Sequence, residues 1–231
     1  MRRLLIALLF VFASLPVAGV NTVVVMRHPA AGGGAFCDGT FEFCQDFTTD
    51  LSAWTEPDTA VNGDWTVGSG ILNGPSTASG VPMIVYTADT GGLNQYACIK
   101  FETYSGQQGV MMRYNSATRH YGIVVSSSDN IAYWSSYEST GAWKADNDSC
   151  SLTLAAGNYL CGRINGTGAG TVVDIWKYTT APTTAPTGTG DCRFSHAAGA
   201  GDDADTGLKV GITYEGPSAG KTFDNWAGGG S

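Results

Sequence analysis

The stretch "MMRYNSATRHYGIVVSSSDNIAYWSS", residues 111–136, collects side chains of the types that bind sugars and other flat polar ligands. It contains Arg113, His120, Tyr121, Tyr133 and Trp134. A guanidinium donates several hydrogen bonds in one plane, and aromatic rings offer flat apolar platforms, so together they suit a hydroxylated ring. The same stretch predicts three short strands with two tight turns, in which aromatic side chains usually belong to the core. A ligand-binding face and a sheet interior are therefore both consistent with these residues.

Carboxylates with the spacing that glycoside hydrolysis requires are missing from these strands. That reaction usually needs two carboxylates on either side of the scissile bond, and "VMMRYN", "YGIVVSS" and "IAYWSS" contain none. Glu102 and Glu138 are isolated, and Asp174 in "VVDIW" is a single acid that we expect to be solvated. The sequence therefore favours binding over hydrolysis.

Nucleophile and metal motifs are equally scarce. No G-x-S-x-G sequence occurs. We expect surface positions for the three histidines, His28, His120 and His196. The acidic segment "GDDADTG" does not continue into an EF-hand, because Thr213 or Tyr214 stands where the twelfth-position glutamate is required. We interpret this segment as a solvated loop.

Composition and alternation predict an all-β protein. The 231 residues include 32 glycines and only 14% charged residues, which suits short strands joined by turns. In "YACIKFETY" alternate residues share a face, as expected of a strand with one buried side. About twelve short antiparallel strands imply two packed sheets, a sandwich of jelly-roll type. The candidate strands are Phe41–Phe47, Trp65–Leu72, Met83–Thr87, Gln95–Tyr104, Gly109–Tyr114, Tyr121–Ser126, Asn130–Ser135, Tyr159–Asn165, Thr171–Tyr178, Cys192–Ala197, Lys209–Tyr214 and Lys221–Trp226.

The chain divides into three parts, and its first part indicates export. Residues 1–19 predict a signal peptide or an N-terminal anchor, because Arg2 and Arg3 precede an apolar run and small residues follow it. Residues 20–35 predict a short strand, "NTVVVM", and a Gly-rich linker, and residues 36–231 predict the sandwich. Six cysteines without a Cys-x-x-Cys pair favour disulfides over zinc, so we expect a secreted, extracellular protein. The net charge of −8 argues against nucleic acid as a partner.

The order of the segments carries a resemblance. "CQDFTTDLSAWT", "DWTVGSGILNG", "QYACIKFET", "GVMMRYNSATRHYGIVV", "GLKVGITYEG" and "KTFDNWAGG" follow one another as in the concanavalin A-like lectin/glucanase superfamily. The similarity is to its laminin-G-like and 3-keto-disaccharide-hydrolase-like branch and covers about residues 41–228. The glucanase motif E-x-D-x-x-E does not occur in this chain. The resemblance implies a concanavalin-like jelly roll, a fold that hosts lectins, adhesion modules, hydrolases and phage structural proteins.

The resemblance also implies positions for ligand and metal sites. In lectin-like relatives the sheet with consecutive central strands carries the ligand, which makes Arg113, Tyr121, Tyr133, Trp134 and Trp143 the candidate ligand-binding residues. The alternative is core packing, and one of Tyr133 and Trp134 must face inward. Related jelly rolls hold a structural Ca²⁺ where the first and last strands meet, which here corresponds to Asp46 and Asp224. The alternative is that Asp224 only caps a strand end. No other cofactor is expected.

A disulfide pattern follows from the same resemblance. In the superfamily's sheet order the strand like "QYACIKFET" lies beside the strand like "NYLCGRI", which implies a Cys98–Cys161 bridge. The remaining pairs are expected to be Cys37–Cys44, which would attach the linker to the first strand, and Cys150–Cys192. The rival is a hairpin bridge between Cys150 and Cys161.

Three functions are consistent with these observations. The first is a secreted, non-enzymatic carbohydrate-binding or adhesive module whose partner is a glycan or cell-surface polysaccharide. The second is a structural or decoration protein of a virion or extracellular assembly, in which "NTVVVM" adds to the sheet edge of a neighbouring protein or of another copy. The third is a glycan-active hydrolase, against which the missing acidic motif argues.

Overall fold

A computed structural model describes residues 36–231 except 38, 49, 58–63, 76–80, 118, 138–147, 196–206 and 216–220. Within these residues the chain forms fifteen strands and one short 3-10 turn at Gly168–Gly170. The strands are β1 (Phe43–Gln45), β2 (Trp54–Thr55), β3 (Thr66–Gly68), β4 (Ile71–Asn73), β5 (Met83–Tyr86), β6 (Gln95–Phe101), β7 (Gln107–Ser116), β8 (Arg119–Ser126), β9 (Ile131–Tyr137), β10 (Asp148–Ser151), β11 (Tyr159–Asn165), β12 (Val172–Tyr178), β13 (Cys192–Ser195), β14 (Lys209–Glu215) and β15 (Thr222–Gly230).

The strands form two antiparallel sheets. Sheet A has the order β13-β12-β11-β6-β15-β4-β3, and β1 also pairs with β15. Sheet B has the order β10-β9-β8-β7-β14-β5-β2. The first and last strands are therefore neighbours, and the predicted two-sheet antiparallel sandwich is confirmed.

The main core lies between the two sheets and follows the alternation read from the sequence. Ala97, Ile99 and Phe101 of β6 belong to this core, together with Val110 and Ile123 of sheet B. Because successive strand residues point to opposite faces, Cys98 and Lys100 lie on the outer face of sheet A. Burial of this apolar surface is the principal stabilising term of the fold.

Two differences from the predicted strands have local causes. The segment predicted as one strand, Trp65–Leu72, is a hairpin of β3 and β4, in which Ser69 and Gly70 have φ of 55° and 78°. Two consecutive positive φ angles are the geometry of a tight hairpin turn, which alternation alone does not reveal. β2 and β10, of two and four residues, were not predicted.

Three disulfides join the six cysteines in the pairs that the resemblance implied. Cys98 and Cys161 are direct register partners in β6 and β11, with Cα atoms 4.0 Å apart. Cys37–Cys44 attaches the segment before β1, and Cys150–Cys192 links β10 of sheet B to β13 of sheet A. The rival Cys150–Cys161 bridge is not formed. Three disulfides are typical of proteins in oxidising compartments.

The expected leader and Gly-rich linker, residues 1–35, lie outside the described residues. In the part of the chain that is described, no helix has the length and apolar character needed to cross a bilayer.

Candidate functional site

Two of the five predicted ligand residues are inside the protein. Arg113 and Tyr121 are 0% and 1% exposed. The Arg113 Nε donates to the carbonyl oxygen of Leu93 at 2.8 Å, and its Nη2 donates to the carbonyl oxygen of Gly166. Its guanidinium carbon lies 5.9 Å from the centre of the Tyr121 ring. Both side chains therefore support neighbouring loops and strands from within.

Of the other three predicted residues, only Tyr133 has a side chain that the structure describes. Tyr133 is half-buried in β9, opposite Val124, and its hydroxyl donates to Asp129 at 2.7 Å. Trp134 lies opposite Ile123 in the backbone register of the same strand. Trp143 lies outside the described residues. Among the described side chains of the predicted set, Arg113 and Tyr121 lie together.

The predicted calcium pair is divided between two separate arrangements. The Asp46 Oδ1 accepts from the backbone N–H and the hydroxyl of Thr48, at 3.1 and 2.8 Å. The Asp224 Oδ2 accepts from the Lys100 ammonium at 3.0 Å. Ca²⁺ takes six to eight oxygen ligands, which these two carboxylates alone would not supply. Among the described residues no three His, Cys, Asp or Glu side chains cluster as a metal site would require.

Two polar residues expected at the surface are buried. His120 is 0% exposed, and burial lowers its pKa to about 3 although a hydrogen bond with Ser116 favours the charged form. Asp174 is also 0% exposed, and it receives hydrogen bonds from Arg163 and Arg193. The surface position expected for His120 and the solvated position expected for Asp174 are therefore wrong. Polar side chains are mostly exposed, but hydrogen-bond partners make their burial possible, and the sequence does not show those partners.

An open depression of about 570 Å³ lies where the β5–β6 loop meets the end of β15. We call it the end pocket. Its walls come from the residue before β1, from the loop, and from the last two residues of the chain. The lining residues are Glu42, Thr90, Gly91, Gly92, Leu93, Asn94, Gly230 and Ser231.

The β5–β6 loop takes its shape from turn residues and from one buried threonine. Gly91 has a φ of 71°, a left-handed conformation that glycine adopts without steric cost. The Thr90 hydroxyl is buried and lies 3.0 Å from the carbonyl oxygens of both Gly92 and Leu208, and the Thr90 N–H donates to Leu208 at 2.8 Å. The loop is therefore tied to the segment that enters β14.

A buried polar pair, Gln95 and Arg113, supports the loop from below, and we call it the brace. The Gln95 Nε2 donates to the carbonyl oxygens of Gly92 and Gly207, at 3.1 and 2.9 Å. The Gln95 Oε1 accepts from the backbone N–H of Arg113 at 2.6 Å. Arg113 has a φ of 48° at the irregularity where the β7–β8 register shifts. This bulge turns the guanidinium toward the loop, since a β-bulge re-aims a side chain.

The brace and its neighbours use the loop's carbonyl oxygens. Gly92 and Leu93 accept from Gln95 and Arg113, and the carbonyl oxygen of Asn94 accepts from the Ser231 N–H at 3.0 Å. The Asn94 Oδ1 accepts from the Gly166 N–H at 2.9 Å. The amide NH₂ of Asn94 is consequently the part of that side chain that can donate to a ligand.

Glu42 forms the opposite wall. Its Oε2 accepts from the Gly230 N–H at 2.6 Å, and its backbone N–H donates to the Tyr96 hydroxyl at 2.9 Å. Burial raises the pKa of Tyr96 to about 12, and the nearby Glu42 charge acts in the same direction, although the hydrogen bond from the Glu42 N–H favours the phenolate. A Cβ added to Gly230 would lie 2.5 Å from the Thr90 carbonyl oxygen, so β15 can pass this close only as glycine.

Sequence reasoning did not identify this site. Its residues are at positions 42, 90–94 and 230–231, and they meet only because β1, β15 and the start of β6 are neighbours. The available signals were the "TGG" of the loop and the "GGG" before the last residue, since glycines mark close backbone approach.

The chemistry available in the end pocket is hydrogen bonding. Glu42 supplies an acceptor and the Asn94 amide a donor, while the Ser231 hydroxyl is hydrogen-bonded to the Asn165 side chain at 3.0 Å. Glu42 has the one carboxylate side chain among the eight lining residues. Cleavage of a glycosidic bond usually needs two carboxylates, so this arrangement suits binding.

Comparisons with known proteins bear on the fold. The sequence matches no protein-family model. No curated protein sequence matches it either. Among solved structures, a bifunctional GH43-CE protein of Bacteroides eggerthii is similar, with 10% identity and a TM-score of 0.51, over 81% of this chain and 27% of that one.

Two further structures are similar over most of their own length. A β-1,3-1,4-glucanase (lichenase) from a mouse hindgut metagenome has 12% identity and a TM-score of 0.48, over 82% of this chain and 99% of that one. The carbohydrate-binding module CBM66 of Bacillus subtilis has 12% identity and a TM-score of 0.45, over 78% and 94%. At such identities likeness concerns the fold alone, which is a concanavalin-like jelly-roll β-sandwich, as the order of segments indicated.

Proposed function

We propose that this protein is a secreted, non-enzymatic carbohydrate-binding module and that the end pocket holds the glycan. The observation that carries the proposal is the pocket itself, an open depression with one carboxylate side chain, which rests on a buried, hydrogen-bonded support. Of the residues proposed from the sequence, Arg113 and Tyr121 contribute through that support.

The groups that line the end pocket match the chemistry of sugar hydroxyls. Each hydroxyl both donates and accepts, so the Glu42 carboxylate can accept from one hydroxyl while the Asn94 amide donates to its neighbour. The brace holds the loop in place before binding, which reduces the entropy that a ligand must overcome. The wide mouth admits a sugar unit that is still attached to a polymer.

Secretion belongs to the same proposal. The three disulfides agree with an oxidising compartment, and residues 1–19 have the composition of a signal peptide. Expression with the leader, followed by sequencing of the N-terminus of the exported product, tests this part. An intact Met1 on a membrane-associated product would show that residues 1–19 are an anchor rather than a signal peptide.

Binding can be tested with one variant and one control. Affinity electrophoresis of the full chain through gels that contain soluble polysaccharides should show retardation by at least one polysaccharide. Asn94→Ala should weaken that retardation at least about tenfold, since a buried or ligand-directed hydrogen bond lost without replacement costs over 1 kcal/mol. Thr153→Ala, an exposed site before β11, should not change it.

Two results would contradict the proposal. One is the absence of binding to every polysaccharide tested, with a folded protein. The other is release of reducing sugar that disappears on changing Glu42, Glu102 or Glu138, which would make the chain a hydrolase.

A role in a virion or extracellular assembly depended on "NTVVVM", which lies outside the described residues. Regular assemblies seen by electron microscopy of the full chain, together with no glycan binding, would favour that role.

A further inference from the structure

We infer that Glu42 makes the end pocket selective for uncharged or amino-bearing sugar units and excludes uronates and sulfated sugars. The inference rests on the proposed function, because it concerns the ligand class of the same site. Glycan binding alone does not predict how the charge of a sugar affects its affinity, whereas a role for Glu42 in specificity does.

Glu42 is held in place at the pocket wall. It is an exposed residue, and the Gly230 N–H fixes its Oε2 at 2.6 Å. It is the single ionisable side chain among the eight lining residues, the others being Thr, Gly, Leu, Asn and Ser. The remaining carboxylate oxygen can accept from ligand hydroxyls, and a carboxylate accepts a hydrogen bond more strongly than a neutral oxygen does.

The lining residues of the end pocket also lack what an acidic sugar needs. Carboxylate and sulfate groups are usually recognised by arginine or lysine side chains. None of the eight lining residues is cationic. Arg113 lies beneath the loop, fully buried, and directs its Nε and Nη2 to Leu93 and Gly166 rather than into the pocket.

The charge of the whole chain acts in the same direction. A net charge of −8 repels polyanions at long range, and Glu42 repels an acidic group at contact. Placing like charges against each other is a strong determinant of specificity, so we expect at least about a tenfold preference for neutral over acidic oligosaccharides at low salt. An amino group on the sugar should be tolerated or favoured, since an ammonium would pair with the carboxylate.

The experiment compares ligand charge and protein charge together. Isothermal titration at low salt would use neutral gluco-, xylo- and manno-oligosaccharides, glucosamine oligosaccharides, oligogalacturonate and a sulfated oligosaccharide. The proteins are the full-length wild type, Glu42→Gln and Asp64→Asn. Glutamine keeps an oxygen that can accept from Gly230, so Glu42→Gln should fold normally, which a urea unfolding curve checks. Asp64 is exposed before β3, and its variant removes the same unit of charge elsewhere.

The wild type and Asp64→Asn should prefer neutral or amino sugars at least about tenfold, and Glu42→Gln should lose most of that preference. Equal or tighter binding of acidic oligosaccharides by the wild type would overturn the inference and leave the carbohydrate-binding function intact. The same conclusion would follow if Glu42→Gln kept the wild-type preference. No binding to any of the ligands would overturn the proposed function together with the inference.

Discussion

Two loops of this protein are held to their sheets by guanidinium groups, and the first of them lines the end pocket. The β5–β6 loop, residues 87–94, is held by Arg113 through the carbonyl oxygen of Leu93. The β12–β13 loop, residues 179–191, is held by Arg163 and Arg193 through carbonyl oxygens of Pro186 and Gly188. In both loops an arginine side chain replaces the hydrogen bonds that regular pairing would have supplied.

The second loop is bound to sheet A by two alanines that pack on it and by ion pairs at its base. Ala181 and Ala185 pack against an aromatic cluster on the outer face of sheet A that includes Tyr159 and Trp176. Asp174 lies at the edge of this cluster. The Arg193 Nε and Nη2 donate hydrogen bonds to its carboxylate at 2.7 and 3.0 Å, and Arg163 donates to the same carboxylate at 2.9 Å.

The first loop is built from small turn residues. Thr90, Gly91 and Gly92 have no large side chain, and they line the end pocket. Arginine therefore fixes a loop in both regions, while alanines bind one loop to an aromatic cluster and small residues of the other line a depression.

Loss of Arg113 should have the largest effect. Arg113→Met leaves the carbonyl oxygens of Leu93 and Gly166 without these donors inside the protein, and each buried acceptor that loses its donor costs about 1–3 kcal/mol. We expect that loss in the free energy of unfolding in urea, together with loss of glycan binding. Arg113→Lys keeps the charge but not the planar fork of donors, so its unfolding free energy should lie between those of the wild type and Arg113→Met. A cost below about 1 kcal/mol would show that the brace is not needed for the loop.

Asp174→Asn should weaken only the second loop. It removes the charge that Arg163 and Arg193 share, and we expect a loss of about 2–4 kcal/mol with unchanged glycan binding. Burial disfavours ionisation of Asp174, but hydrogen bonds from Arg193, the Gly190 N–H and Arg163 together hold its pKa below the usual range. The stabilisation is therefore complete above about pH 4 and is lost as pH falls below it. The difference in unfolding free energy between the two proteins should therefore shrink as pH falls below about 4, and a constant difference at all pH values would contradict this assignment.

The region around Arg113 should begin to lose stability at a higher pH than the region around Asp174. His120 lies in β8 with its ring 6.2 Å from that of Tyr114, next to the bulge that carries Arg113. Its pKa is lowered to about 3 by burial, so the unfolded chain takes up a proton that the folded chain rejects. Stability should fall by about 1.4 kcal/mol per pH unit below about pH 6.5, or about 2 kcal/mol by pH 5. His120→Gln should remove this slope, and a slope unchanged in the variant would assign it to other groups.

How far the sequence predicts this molecule depends on the range of each signal. Alternation in "YACIKF" is local, so it predicted β6 and its inner face correctly. The orientation of Arg113 could not be predicted, because the bulge at that residue breaks the alternation on which orientation is judged. The end pocket was equally hidden, since Glu42 and Gly230 are adjacent only through the pairing of β1 with β15, two strands that are far apart in the sequence.

The smallest effect should come from Asp224, the second acid bound to a cation on sheet A. Burial raises its pKa, and the Lys100 ammonium only partly opposes this, because Lys100 also binds Glu102. The side chains of Lys100 and Asp224 are 23% and 20% exposed, so solvent screens their pair, and such pairs contribute about 0–1 kcal/mol. The pH dependence of stability is opposite to that of Asp174. A carboxyl whose pKa is raised in the folded protein contributes stability below about pH 4, and this contribution is lost as pH rises. Asp224→Asn should therefore change the unfolding free energy at pH 7 by less than about 1 kcal/mol, toward neutral or stabilising. Glu102→Gln, which leaves the Lys100–Asp224 pair intact, is the matched control. If Asp224→Asn lowered the unfolding free energy by more than about 2 kcal/mol, partial exposure would not explain the contrast between Asp224 and Asp174.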